Sequence, residues 1–193
     1  MLKIMHRVNA PAELAHIPQD QGVEIDVHAY GDRVVVHHDP FVDAPSLEAW
    51  LDAYRHAFVI LNIKEEGIEQ HVLDMVVGRG IENFFMLDLS FPSLIKMVRR
   101  GERRIALRVS DYENVASALT LAGKVEWIWL DVFHGFPIGR KDYECLRNAG
   151  FRLCLVSPEL HDRPVSDILH MQMAMREIGV AVDAVCTKRP ELW

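Results

Sequence analysis

The residues of this chain that could do chemistry gather in its first third. Residues 22–40 read GVEIDVHAYGDRVVVHHDP, and in them Glu24 and Asp26 alternate with Val23, Ile25 and Val27. On a strand, that alternation throws both carboxylates to one face and the aliphatics to the other. Two carboxylates at that spacing repel, and a sheet keeps such a pair where a cation or a proton lies between them. The Gly31-Asp32 turn reverses the chain through Val34, Val35 and Val36, which carries His37, His38 and Asp39 back toward the same end. His6 and Arg7 lie upstream. The set amounts to two acids, histidines that titrate near neutral pH, and a guanidinium.

Such residues need strands to hold them at one end of a fold. Short β-branched or aliphatic runs occupy residues 2–5, 23–27, 58–63, 84–87, 105–109, 127–130, 151–156 and 184–187, apart from the hairpin arm at 34–36. Amphipathic stretches with helical spacing fall between them, at 46–54, 68–77, 92–99, 111–121, 140–148 and 164–178. Strands alternating with helices in this way predict an α/β fold, a compact TIM-type (β/α)8 barrel with a β-hairpin after its second strand. A doubly wound open sheet is the competing architecture, and the chain has neither a GxGxxG loop nor a P-loop to support it.

A barrel of 193 residues is short for an architecture that usually takes roughly 250. Residues 10–21 contain Pro11 and Pro18 and leave room for at most a short helix, and little chain follows Lys188, so the C-terminal helix is expected to be abbreviated. That would leave barrel wall uncovered near the chain ends, where the second subunit of a homodimer could sit.

With half of its residues hydrophobic and a quarter charged, the chain suits one domain spanning 1–193. A net charge of -7 argues against a general nucleic-acid or anionic-membrane surface, so phosphate chemistry would have to come from a local group of cations. No apolar run reaches the roughly 20 residues that span a bilayer, and MLKIMHRVN is poor as a secretion signal. Stable membrane insertion is not expected, and a cytoplasmic location is. Cys145, Cys154 and Cys186 lack CxxC spacing and read as reduced core residues.

In a parallel barrel the active site lies where the strands end. The runs exit into His6 and Arg7, then Glu24, Asp26 and His38, then Asn62 and Lys64. Further along come Asp88 and Ser90, Arg108 and Ser110, Asp131, then Ser157, Glu159 and His161, and finally Lys188 and Arg189. Ser110 with Asp111 reads as a helix cap. His37 is expected to point away from His38, and His28 to be a surface or structural residue.

The ordered elements His-Arg, GVEIDV, VVxHDP, NIK and VDAVCTKRPEL run the length of the chain. In combination they resemble the glycerophosphodiester phosphodiesterase family, relatives of the phosphatidylinositol-specific phospholipase C barrels. The resemblance implies a phosphodiester hydrolase in which His6 and His38 are acid and base, Glu24 and Asp26 bind a divalent metal, Mg²⁺ or Ca²⁺, and Arg7 and Lys64 hold the phosphate of a small phosphodiester substrate. It also implies an oxygen ligand at Asn62, where the family usually has glutamate, while Val8 stands where it usually has glycine. Asp88, Arg108, Asp131, Glu159 and Lys188 are further candidates at the strand ends. Two other readings stay open: a barrel that binds a phosphorylated ligand without turning it over, and a lyase forming a Schiff base through Lys64.

Overall fold

The computed structural model of the chain describes residues 1–193. Eight parallel strands alternate with helices, the arrangement of a TIM-type (β/α)8 barrel, and a ninth strand forms the hairpin arm. The chain divides into two compact units, residues 4–102 and residues 1–3 with 103–193.

In the unit of residues 4–102, the end of β1 (Leu2–Met5) pairs with β2 (Gly22–Tyr30), β2 with β4 (Phe58–Ile63), and β4 with β5 (Phe84–Leu87), all parallel. β3 (Arg33–Val36) folds back antiparallel on the far half of β2, with Val27 opposite Val36 and Tyr30 opposite Arg33. Val23, Ile25, Ile60 and Leu61 are fully buried, and Glu24 and Asp26 on the other face of β2 are 1 % exposed. The alternation read from sequence therefore has two buried faces, one apolar and one charged. Gly22 opens β2 because a side chain there has no room. A Cβ would lie 2.9 Å from Ile4 Cγ1 and 3.1 Å from the Phe58 carbonyl oxygen.

The connecting segments follow their caps. α1 (Leu47–Ala53) starts where Ser46 Oγ accepts from the Ala49 amide, and α3 (Phe91–Arg99) where Ser90 Oγ accepts from the Ser93 amide. α2 (Glu69–Val77) lies between β4 and β5. The proline-bearing link after β1 makes only a short 3-10 helix, Pro11–His16, as its sequence predicts.

The other unit orders its strands as β6 (Ala106–Val109), β7 (Trp127–Leu130), β8 (Arg152–Val156) and β9 (Ala184–Thr187), again parallel. Leu2 begins β1 within this unit by donating to the Asp183 carbonyl. α5 (Arg140–Asn148) occupies its expected span, and α6 (Asp167–Ile178) starts three residues later than the 164–178 predicted. α4 is shorter than the 111–121 predicted, covering Val115–Leu119. Ser110 Oγ accepts from the Tyr112 and Glu113 amides and holds those residues in a turn, so Asn114 caps the helix and the expected Ser110-Asp111 cap is not one. Past β9 the chain runs into a 3-10 turn, Pro190–Leu192. No helix is long and apolar enough to cross a membrane. All three cysteines are free, with Cys154 and Cys186 buried.

Candidate active site

Register places the candidate residues of the first unit together. Met5 pairs with Val23, which brings His6 and Arg7 to the level of Glu24 and beyond, and Asp26 pairs directly with Asn62 on the neighbouring strand. Arg7 leaves β1 in the left-handed region, at φ 58°. That turn lets its backbone amide donate to Glu24 Oε2 at 2.7 Å while its guanidinium Nε reaches within 3.6 Å of Asp26 Oδ2. A side chain other than glycine held at positive φ costs free energy, and such residues concentrate at functional sites.

Asp26 is the hub. Lys64, the first residue past β4, puts Nζ 3.2 Å from Asp26 Oδ1, and the Asn62 amide nitrogen donates to the same oxygen at 3.3 Å. Asn9, which the sequence did not single out, closes the other side: its Nδ2 donates to Asp26 Oδ2 at 2.9 Å and its Oδ1 accepts the Asp26 amide at 3.0 Å. Lys64 also lies 3.9 Å from Asp88, another strand-exit residue at positive φ.

Glu24 is less well compensated. It accepts from the Arg7 amide and from Asn62 Nδ2 at 3.0 Å, and His6 Nε2 stands 3.7 Å from its Oε2. Burial, with the charge of Asp26 beside it, pushes its carboxyl up from the ordinary 4.5 to about 7. Asn62 bridges the two acids through its nitrogen, while its Oδ1 is buried without any partner. Turning that amide over would put a third oxygen beside Glu24 Oε1 and Asp26 Oδ1, an arrangement favourable only with a cation among them. The orphaned oxygen and the strained carboxylate thus fit a hard divalent ion, although no ready-made group of three acidic or imidazole ligands exists.

His38 follows β3. Its Nδ1 contacts Asp39 Oδ1 at 2.8 Å, and its carbonyl oxygen is 3.2 Å from His28 Nε2. Because a carbonyl only accepts, His28 must carry its proton on Nε2, and this buried histidine braces the backbone that presents His38. His38, Arg7, Asn9 and Glu13 line one open cavity of about 610 Å³. His37 lines it too, contrary to the expectation that it points away from His38. Val8 does not line it: its side chain is buried and its carbonyl accepts from Trp50 Nε1.

The remaining candidates lie in the unit of residues 1–3 and 103–193 and form networks of their own. Asp131, fully buried, pairs with Arg108 of β6 and with His161. Burial and the charges of Arg108 and Arg163 lower the imidazole's affinity for a proton. Glu159 accepts from Ser157 Oγ, Thr187 Oγ1 and the Lys188 amide, so Lys188 takes part through its backbone while its side chain is exposed.

No family model matches this chain, and no curated protein sequence does. Among solved structures, a glycerophosphodiester phosphodiesterase from Agrobacterium tumefaciens str. C58 superposes with a TM-score of 0.68 at 17% identity, over 100% of this chain and 97% of that one. A glycerophosphoryl diester phosphodiesterase from Parabacteroides distasonis superposes with a TM-score of 0.70 at 14% identity, over 99% and 84%. Across its whole length, then, this chain has the fold of the glycerophosphodiester phosphodiesterases, the family its ordered motifs resemble.

Proposed function

We propose that the protein is a phosphodiester hydrolase acting on a small phosphodiester. The observation that carries this reading is Asp26: one fully enclosed carboxylate fixes a guanidinium and an ammonium, Arg7 and Lys64, at the exits of two strands. Two cations held on one carboxylate suit the shared negative charge of a phosphodiester, which otherwise repels a nucleophile. A divalent ion, Mg²⁺ or Ca²⁺, would be held by Glu24, Asp26 and the turned-over Asn62 amide, and when bound it supplies further positive charge toward the phosphoryl oxygens.

The proton work falls to His38 and His6. With Nδ1 engaged by Asp39, His38 offers the Nε2 lone pair as base and removes the proton from a neighbouring hydroxyl of the substrate as that oxygen attacks phosphorus. His6, beside Glu24, protonates the departing alkoxide, releasing the alcohol and a cyclic phosphate. Water then opens the ring with the two roles exchanged, restoring both imidazoles. A Schiff base at Lys64 is disfavoured, because an amine held as an ammonium against Asp26 is no nucleophile.

The test is hydrolysis of bis(p-nitrophenyl) phosphate and glycerophosphocholine by the purified protein with Mg²⁺, Mn²⁺ or Ca²⁺, alongside His6→Ala and His38→Ala. Turnover abolished in both variants supports the reading. Absence of turnover with every metal, while a phosphorylated ligand still binds, would leave a binding protein.

A further inference from the structure

α6 turns a line of apolar side chains outward. Val165, in the turn that leads into the helix, is followed by Leu169 and Met173 at intervals of four residues, which puts all three on one side. They are 40 %, 58 % and 50 % exposed, whereas Ile168, Met171 and Met175 on the other side are buried. The turn Pro190–Leu192 runs beside this line. Gln172 Nε2 donates to the Leu192 carbonyl, and the Leu192 side chain is exposed as well. Single apolar residues on a surface mean little, but a group of them marks a place where protein meets protein.

The two ends of the line carry opposite charges. Asp162 stands three residues before Val165, at the left-handed end of a 3-10 turn (Pro158–His161) that packs on α6, and Arg176 stands three residues after Met173. Both are exposed, and neither side chain has an ion pair or a hydrogen bond within the chain. The neighbouring cations differ, since Arg163 and His170 are both engaged by Asp167. Along the face the order is therefore acid, three apolar groups, base. Reversed end for end, that order is its own complement. With Leu169 on a two-fold axis, Val165 faces Met173 of the second copy and Asp162 faces Arg176 of the second copy. A parallel arrangement would instead set acid against acid and base against base, so charge selects the antiparallel one.

We propose that a second copy of this chain docks here, the two α6 helices lying antiparallel about a two-fold axis at Leu169. Pairing of one patch with itself is the usual geometry of a homodimer. A face centred on one helix is small beside the ~1,200–2,000 Å² of interfaces that hold stable complexes, so the dimer forms only as concentration rises. The inference does not depend on the hydrolase reading.

Sedimentation equilibrium of the purified chain, from micromolar to near-millimolar concentration, should show monomer passing to dimer. Leu169→Glu, at an exposed position, should hold the chain monomeric without lowering its thermal midpoint. Arg176→Asp and Asp162→Arg should each weaken the dimer by about tenfold, because like charges then meet at two symmetric places, and the double variant should recover it. Thermal melts check that each variant is folded. A chain that is monomeric at every concentration overturns the proposal, as do a dimer that survives Leu169→Glu and single reversals that the double variant does not rescue. Co-sedimentation with phosphatidylcholine vesicles in place of self-association overturns it too, and would assign the face to a lipid surface.

Discussion

The side-chain amide of Asn62 donates to Glu24 Oε1 at 3.0 Å while its own oxygen is buried and unpartnered. The amide therefore occupies the place between two acids that a cation would otherwise fill. Replacing it by aspartate removes the donor and adds a third negative oxygen. Asn62→Asp is expected to tighten Mg²⁺ or Ca²⁺ binding by about tenfold or more and to lower the thermal midpoint of the metal-free protein. Calorimetric titration and thermal melts with and without metal check both; an unchanged affinity would mean that no cation binds among these residues.

Glu24 predicts a pH dependence. Its carboxyl is raised in the fold from 4.5 to about 7, so between those values the folded protein binds more protons than the unfolded chain. Stability without divalent metal should fall as pH rises from about 4.5 to 7 and level off above. Denaturant unfolding across that range should show the slope, and Glu24→Gln should flatten it.

Removing one cation from Asp26 separates binding from folding. Lys64→Met keeps the aliphatic stem but leaves the buried carboxylate short of a donor, at a cost of about 1–3 kcal/mol. Asn9, Asn62 and Arg7 still hold Asp26, so the variant should fold. Its kcat/KM on a phosphodiester should fall about 10²–10³-fold. Steady-state kinetics paired with chemical denaturation measure the two effects independently.

On the proposed reading His28 acts through His38, whose carbonyl it braces. Truncation of His28 to alanine removes the donor to the His38 carbonyl without touching the cavity that His38 lines. His38→Ala should cost about 10²–10⁴-fold in kcat with little change in melting, because the side chain is half-exposed. His28→Ala should cost less, and mainly in kcat, because it loosens the base without removing it. Kinetics of the two variants and of their double mutant give the coupling.

Much of this arrangement is local and therefore visible in the sequence. The runs at 2–5, 58–63, 84–87, 127–130 and 184–187 coincide with strands because short apolar runs and the turn residues that bound them are set by neighbours in the chain. The parallel register then brings Asp26 beside Asn62 without further information. What stays hidden depends on distant partners. Asn9 clasps Asp26 across 17 residues, and only after Arg7 adopts a left-handed turn that nothing in its residue type announces. The shortened α4 has a different, local origin: Ser110 bonds the amides two and three residues on, where helical spacing alone would have continued the helix. His37 shares the cavity of His38 because the end of the hairpin arm leaves strict alternation.

Gly22 has a consequence for how finely the cradle is gauged. With only a hydrogen where other residues carry a methyl group, β1 and β4 close in on β2 from both sides, at Ile4 and at Phe58. An alanine at this position would act as a wedge at the foot of three neighbouring strands, and the splay would shift His6, Glu24 and Lys64 relative to one another. Spacing among the candidate groups is thus gauged two residues upstream of Glu24, by an atom that is missing.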